Sequence, residues 1–258
     1  MANHLGLVYQ LTKREVVGRY KGSMLGLLWS FINPLLMLIV YTMFFSVILK
    51  VKWGLNDESK ADFAILLFVG LMTYGFIAEC INRAPGLVTG NVNYVKKVVF
   101  PLEILPVVSC GSALFHWAIS MLVLVLALVF IGNGVPATAF WIVPVMLPLV
   151  LYGLGLGWIL AATGVFVRDI SQVVGVFTQV LMFLSPVFFP ASRIPEAYRG
   201  LFRANPLTVI IEQARTVLVF GKQPDWGSWL LQMLVATAVC AIGYGWFRLG
   251  KRGFADVL

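Results

Sequence analysis

Long apolar runs dominate this sequence, and they constrain its fold more than any other feature. A run of roughly 20 apolar residues can cross the hydrocarbon core of a bilayer as an α-helix. Hydrophobic residues make up 60% of the 258 residues and charged residues only 12%, which is too apolar for a soluble domain. We predict one all-α polytopic membrane domain over residues 1–258, with six transmembrane helices at 27–49, 63–81, 104–131, 140–166, 173–189 and 229–247.

Basic residues are distributed unevenly between the two sides that these spans define. Clusters precede the first span, separate the second from the third, and follow the sixth. The positive-inside rule therefore places both termini in the cytoplasm, although the connection between the fifth and sixth spans is also basic. Topology explains the net charge of +8, and we exclude nucleic acid as a partner because no soluble domain presents a basic face.

The first 26 residues are too polar to span a membrane, but they have a helical period. Apolar residues including Leu5 and Tyr9 fall on one arc, and basic residues fall on the opposite arc. This pattern predicts an interfacial helix over 1–26. Glycines follow at four-residue spacing at Gly18, Gly22 and Gly26, which favours either close helix packing or a break near Gly22.

Two connections carry features of their own. Residues 84–103 exceed the length of a hairpin and hold a helix-compatible run between Gly90 and Pro101, which forms either a plain connector or a peg that enters a groove on a soluble partner. Residues 190–228 alternate prolines with apolar pieces too short to span. That alternation is typical of re-entrant half-helices and predicts a gate at the outer face.

An adjacent Arg168 and Asp169 separate the fourth apolar run from the fifth. Charges are least costly in water, so the pair predicts a tight cytoplasmic turn, which either ends two helices or contacts a cytoplasmic partner. Aromatic residues recur at helical spacing in the first span, at Tyr41 and Phe45. Such residues usually pack helices together; alternatively, their broad apolar faces suit a wall for a sugar-bearing substrate.

The order of these features resembles the membrane subunit of ABC-type polysaccharide exporters, which move lipid-linked O-antigen, capsule or teichoic acid chains. The resemblance covers essentially the whole chain and is carried by RYKGSMLGLLWSFINPLL, FVRDI and SPVFFPASRIPEAYRGLFRANPLTVII. The FVRDI form is more similar to the O-antigen and teichoic acid branch than to the capsule branch. The resemblance implies six spans per subunit, an N-terminal interface helix, a cytoplasmic coupling helix and re-entrant gate helices.

The resemblance also implies roles for individual residues. Contact with the ATPase would involve Lys13, Arg14, Asn93, Lys96, Lys97, Arg168 and Asp169. The gate would involve Pro186, Pro195, Asn205 and Pro206. The first and fifth helices of two copies would line a pore, with glycan-channel contacts from Trp29, Tyr41, Phe45 and Phe177.

The energy source is expected on another protein. Residues 245–252 match the start of a phosphate loop but end in Arg252, where Ser or Thr must bind magnesium. Histidine occurs only at His4 and His116, and no carboxylate pair shares a membrane depth. The sequence therefore offers few candidate residues for catalysis. We expect a transport subunit without a cofactor in the inner membrane, forming a homodimer with two ATPases that bind ATP and magnesium.

Two other classes of membrane protein remain open. An exporter of drugs or lipids would share the architecture. A secondary transporter or channel would use ionisable residues in mid-membrane, for which Glu79, His116 and Glu212 are the candidates. A lone histidine in an apolar helix more often makes a packing hydrogen bond than a proton relay.

Overall fold

The computed structural model describes residues 2–48, 60–96, 100–132 and 134–258, and all regular structure in these ranges is helical. This confirms the all-α prediction. The helices are α1 (Ala2–Tyr20), α2 (Trp29–Thr42), α3 (Lys60–Arg83), α4 (Gly86–Thr89), α5 (Val92–Val95), α6 (Ile104–Phe130), α7 (Ile142–Phe166), α8 (Ile170–Phe183), α9 (Glu196–Ala204), α10 (Pro206–Leu218), α11 (Trp226–Gly250) and α12 (Phe254–Val257). A π-helical turn, Met43–Ile48, continues α2, and 3₁₀ turns occur at Gly26–Leu28, Ala137–Trp141, Ala191–Arg193 and Lys251–Gly253.

Five segments of the described chain are long and apolar enough to cross a membrane. They overlap the first, second, third, fourth and sixth predicted spans. The first segment ends before the predicted end at 49, which lies outside the described residues, and the last continues beyond the predicted end at 247. The segments are Gly26–Phe45, Ala61–Arg83, Ile104–Phe130, Ala137–Phe166 and Trp226–Val257.

The fifth predicted span, 173–189, is only partly helical, because α8 begins before it, at Ile170, and ends within it, at Phe183. Here α8 has 14 residues and rises about 21 Å. The helix ends at Phe183 because Pro186 has no backbone N–H to donate, and a proline also disfavours helical geometry at the residue before it.

The central helix of the bundle is α3. Leu66, Leu67 and Val69 are all fully buried, so neighbouring helices cover α3 on several sides. Its C-terminal part contacts α1, and its N-terminal part contacts α10. We call these the α1 end and the α10 end of the bundle.

Close packing joins α7 to α11 at the edge of the bundle. A Cβ atom added to Gly243 would lie 2.2 Å from the carbonyl oxygen of Gly155, so the two backbones meet without side chains between them. Small residues permit this kind of approach between membrane helices.

In contrast, α2 packs loosely on the rest of the subunit. Ser30 is the one buried residue of α2, whereas Leu36, Ile39, Val40 and Met43 are exposed. A continuous apolar face of this kind needs lipid or another protein to cover it.

The N-terminal segment contains a break rather than a continuous helix. The helix α1 ends at Tyr20, and Gly22 and Gly26 have φ angles of +90° and +51°. A Cβ atom at Gly18, Gly22 or Gly26 would meet nothing within 4 Å, so these glycines pack against no other helix among the residues described for this subunit. The predicted break near Gly22 is therefore confirmed.

Candidate transport path and coupling surface

A cleft lies behind α2, between α2 and the helices α3 and α6. It consists of two adjoining cavities of about 360 and 270 Å³ that share Pro34, Glu79 and His116 in their walls. The larger cavity is lined mainly by apolar side chains such as Phe68, and the smaller reaches Arg19 at the α1 end. The cleft exists because α2 packs loosely on its neighbours, and it is apolar towards one end and polar towards the other.

Aromatic rings gather beside the apolar part of this cleft. Phe45 stacks on Phe188 with a centroid distance of 4.8 Å and an interplanar angle of 18°. Tyr41, which lines the cleft, lies 5.8 Å from Phe188, and Phe183 of α8 lies 6.0 Å from it. Phe188, which the sequence analysis did not select, is thus the centre of the cluster, and it links α2 to the segment after α8.

The predicted glycan-channel residues do not form one group. Tyr41 and Phe45 lie together and pack inwards on the core, whereas the outward face of α2 carries aliphatic residues and Phe44. Trp29 lies 12 residues before Tyr41, about 18 Å along the helix axis. Phe177 is 53% exposed on α8, and the described residues give it no ring partner. Helical spacing identified a shared face of α2 but not its direction, and the glycan role of these residues stays a prediction.

A cluster of charged and polar side chains, which we call the α1 clamp, lies at the α1 end of the cleft. The carboxylate of Glu79 lies 2.5 Å from Arg19 Nη1 and 3.4 Å from Arg83 Nη1. His116 Nδ1 lies 2.9 Å from both oxygens of this carboxylate. The clamp comprises Glu15, Arg19, Tyr20, Glu79, Arg83 and His116.

Two further contacts complete the clamp. Arg83 forms an ion pair with Glu15 of α1, and Tyr20 Oη lies 3.1 Å from His116 Nε2. Burial raises the pKa of Glu15, and the neighbouring Arg83 opposes that effect. Both ring nitrogens of His116 have partners, as expected for a histidine in hydrogen-bonded packing.

The sequence analysis considered Glu79 and His116 only as separate candidates for an ion-coupled transporter. It did not connect them with Arg19. Two signals were available: Arg83 follows Glu79 by four residues on one helix face, and charges near a membrane require partners.

The described part of the predicted coupling segment 84–103, which excludes residues 97–99, contains two short helices at the α1 end. The predicted helix between Gly90 and Pro101 corresponds to α5, and the preceding α4 packs on the end of α7. This packing is close, because a Cβ atom on Gly164 would lie 2.3 Å from the carbonyl oxygen of Pro85.

Two grooves flank α4, and both are lined by Gly86. One, of about 390 Å³, includes Arg14 and Tyr94; the other, of about 330 Å³, includes Arg168. The structure thereby places α1, α5 and the turn between α7 and α8 around α4, on one face.

Six of the seven predicted coupling residues are described and exposed at this face. Arg14 Nη2 donates a hydrogen bond of 2.8 Å to Tyr94 Oη, which ties α1 to α5. Lys97 lies outside the described residues. The exposed residues are Lys13, Arg14, Asn93, Lys96, Arg168 and Asp169.

At the α10 end, the guanidinium of Arg215 is enclosed by protein, with 1% of its side chain exposed. Its Nη1 donates to the carbonyl oxygen of Pro186 at 2.7 Å, and its Nη2 donates to that of Val187 at 3.0 Å. Its Nε donates to the carbonyl oxygen of Leu66 in α3 at 3.1 Å, and Glu212 supplies a carboxylate 2.9 Å from Nη1. The sequence analysis did not select Arg215, although a charge within an apolar run is the available signal.

Three of the four predicted gate residues lie in α10, at its N-cap or in the segment that it contacts after α8. Asn205 caps α10 by accepting a hydrogen bond from the Leu207 amide at 3.0 Å, and Pro206 occupies the first helical position. The Asn205 amide also donates to the carbonyl oxygen of Leu184 at 3.0 Å. Pro186 contacts Arg215, whereas Pro195 is exposed at the start of α9. Their role as a gate stays a prediction.

The sequence is similar to several known membrane proteins and matches the ABC-2 type transporter family over residues 6–219. It is 29% identical to the O-antigen export system permease protein RfbA of Myxococcus xanthus, over 97% of this chain and 95% of that protein. The RfbA protein of Klebsiella pneumoniae is 24% identical over 100% of this chain and 98% of its own. The polysialic acid transport protein KpsM of Escherichia coli is 25% identical over 83% of this chain and 81% of its own.

The match covers most of the chain, so this protein belongs to the ABC-2 type transporter family. Its long apolar helices agree with a multi-pass membrane protein. The family resemblance inferred from the sequence is thereby confirmed.

Proposed function

We propose that this chain is the permease subunit of an ATP-driven exporter that moves a lipid-linked, O-antigen-like polysaccharide from the cytoplasm across the inner membrane. The observation that carries the proposal is similarity over nearly the full length to two O-antigen export permeases. The capsule-related KpsM protein shares a smaller part of the chain. Drug and lipid exporters are therefore the less favoured cargo classes.

Six transmembrane passages are part of this proposal, with α8 as the fifth. The exposed apolar residues of α1, with Leu5 at 76% exposure, suit a helix in the headgroup plane. The 13-residue α10 is too short to span and is buried against α3 and α7, which supports a re-entrant pair formed by α9 and α10. The α1 end then faces the cytoplasm, and both termini are cytoplasmic.

A homodimer would supply the conduit. A polysaccharide is polar and cannot cross hydrocarbon without shielding, and a single subunit leaves the apolar faces of α2 and α8 exposed. Pairing two subunits through these helices would cover part of both faces and enclose a path between them. The aromatic cluster around Phe188 supports the outer part of α2 along this path.

Two separate ATPase subunits would drive transport. They would bind ATP and magnesium, while this chain performs no catalysis and holds no cofactor. The grooves on either side of α4 suit contact with such a partner because they lie among exposed charged side chains from three segments. ATP-dependent closure of the ATPases would displace α4 and α5 and open the path.

Gene replacement tests this function. In a strain that lacks the gene, the wild-type chain should restore surface polysaccharide, and restoration should stop when the phosphate-loop lysine of the partner ATPase is replaced. Export that continues without a working ATPase would contradict the proposal in favour of a secondary transporter. Unchanged polysaccharide together with altered drug sensitivity would favour a drug exporter.

A further inference from the structure

The helix α1 is attached to the subunit mainly by polar side chains. Val16 is its one buried residue among the side chains that the structure describes. Thr12 packs closely on Gly111 of α6, and the polar contacts to α3, α5 and α6 come from Arg14, Glu15, Arg19 and Tyr20. Apolar packing tolerates sliding, whereas hydrogen-bonded ion pairs fix both distance and direction. The position of α1 therefore depends on a few charged contacts.

Glu79 is the partner of Arg19 and joins it to two other side chains. Its carboxylate meets Arg19 from α1, Arg83 from its own helix and His116 from α6, and its side chain is 15% exposed. Charge pairs shielded from water interact more strongly than exposed pairs. Removing the charge of Glu79 would leave Arg19 without its carboxylate partner, whereas Arg83 would keep Glu15.

The same helix is tied to the coupling segment five residues earlier. Arg14 donates to Tyr94 of α5, and the Tyr94 ring stacks on Phe100 with a centroid distance of 4.2 Å and an interplanar angle of 14°. A displacement of α5 would therefore be transmitted to α1 through Arg14.

The far end of α1 leads directly into α2. The linking turn contains Gly22 and Gly26 in positive-φ conformations, in which glycine alone is unstrained. The α1 clamp lies just before this turn and borders the cleft behind α2. Whether movement of α1 reaches α2 depends on how firmly the clamp holds Arg19 and Tyr20.

We propose that Glu79 is a positioning residue for transport, which anchors the end of α1 on α3 and α6 so that displacement of the coupling segment is delivered to α2. It acts through Arg19 and His116 and does not touch the cargo. This inference rests on the proposed function, since it assumes that an ATPase moves α4 and α5. Without the anchor, the end of α1 is held less firmly by its remaining contacts, and ATP hydrolysis no longer moves α2.

The test compares Glu79→Gln, Arg19→Gln and the double variant in the deletion strain with the partner ATPase present. Gln keeps the shape of the Glu79 side chain but removes its charge, and at position 19 it removes the guanidinium. Arg19 is 47% exposed, so its replacement leaves the fold intact. We expect each single variant to lower polysaccharide export about tenfold, with the membrane level of the protein and ATP hydrolysis unchanged. The double variant should export no less polysaccharide than either single variant, because both replacements disrupt the same contact between Arg19 and Glu79.

The matched control is Asp225→Asn, which makes the same carboxylate-to-amide change at the exposed N-cap of α11. Asparagine caps helices as well as aspartate does, so export should stay at the wild-type level. Export losses that parallel lower protein levels would reduce Glu79 to a structural role and overturn the proposal. Additive losses of about a hundredfold in the double variant would also overturn it, since the two residues would then act separately.

Export by the wild-type chain distinguishes a failure of this proposal from a failure of the proposed function on which it rests. Failure of the wild-type chain to restore ATP-dependent export contradicts the proposed function. Normal export by the wild-type chain together with normal export by Glu79→Gln contradicts only the role of Glu79.

Discussion

Arg215 Nη1 and the carbonyl oxygen of Pro186 lie 2.7 Å apart, which joins α10 to the segment that follows α8. The same guanidinium reaches Leu66 of α3, so one side chain connects three parts of the α10 end. An arginine has enough donors to satisfy several carbonyl groups at once, and no other side chain offers this fixed fork. Backbone carbonyl groups that have no helical partner after the end of α8 are thereby hydrogen-bonded inside the protein.

Replacement of Arg215 by methionine should strongly destabilise the protein. The change leaves Glu212 and three backbone carbonyl groups without their shared partner, so we expect the free energy of unfolding to fall by about 3–5 kcal/mol. Denaturant unfolding in lipid nanodiscs would measure this loss. The control Arg193→Met, at an exposed site, should change it by less than about 0.5 kcal/mol. Equal stability of the two variants would contradict the role assigned to Arg215.

Alanine at both Tyr41 and Phe45 should impair export without removing the protein from the membrane. The stacked contact between Phe45 and Phe188 contributes about 1 kcal/mol beyond buried area, so insertion should survive its loss while the shape of the path changes. Surface polysaccharide in the deletion strain, relative to membrane protein level, is the measurement. The control is Phe130→Ala on the exposed face of α6. Normal export by the double variant would remove both residues from the predicted channel.

Charge reversal at Lys96 and Lys97 should uncouple ATP hydrolysis from transport. Lys96 is exposed beside α5, where a negative charge would repel an acidic partner surface that the lysine attracts. We expect hydrolysis to continue while export falls by about tenfold or more. Lys222→Glu, at the α10 end, makes the same change away from this surface. If both variants export normally with unchanged coupling, the segment is a plain connector.

The turn before α2 provides a test of backbone conformation alone. A Cβ atom at Gly26 would meet nothing within 4 Å, so Gly26→Ala adds strain at φ +51° without a clash. Alanine should cost about 1 kcal/mol there, and asparagine, which tolerates this conformation better, should cost less. Thermal unfolding and export should therefore rank wild type above Gly26→Asn and Gly26→Asn above Gly26→Ala. Equal behaviour of the two variants would show that the positive φ is not required.

The contact between Glu103 and Lys251 predicts a dependence of stability on pH. Burial alone would raise the pKa of Glu103, but hydrogen bonds from Lys251 and from its own backbone outweigh burial and hold the pKa below the ordinary 4.5. A lowered pKa stabilises the fold above the pKa of the unfolded chain, and this contribution is lost as the pH falls through the folded pKa.

The effect should be small, under about 1 kcal/mol, because Lys251 is partly exposed to water. Unfolding temperatures measured from about pH 6 to pH 3 should fall less steeply for Glu103→Gln than for the wild type. Parallel curves for the two proteins would rule out a contribution from this pair.

Much of the fold follows from local properties of the sequence. Apolar length alone located the helices α3, α6, α7 and α11, because each spanning helix must satisfy its backbone within itself. Proline chemistry marked the region of short helices after α8, and the glycines marked the break before α2. These signals depend on neighbouring residues and need no knowledge of tertiary contacts.

Contacts between distant segments were not predictable in the same way. Glu79 and Arg19 are separated by 60 residues, and Arg215 and Leu66 by 149, so no helical period relates them. The direction of Tyr41 also depends on where α3 and the segment after α8 pack against α2. Sequence patterns identified charged residues and helix faces, whereas tertiary packing determined which residues they contact.

The shortness of α8 has a consequence for the membrane around it. Its 14 residues rise about 21 Å, roughly 9 Å less than the thickness of a typical hydrocarbon core. The loop after α8 and the helix α10 lie at the end of α8. Asn205, the N-cap residue of α10, donates a hydrogen bond to the carbonyl oxygen of Leu184 there. If α8 is the fifth span, as we propose, a bilayer bordering it must become thinner or be replaced there by protein. Hydrophobic mismatch of this kind would thin the nonpolar barrier beside α8. A polysaccharide that followed this helix would then cross less hydrocarbon than in undisturbed lipid.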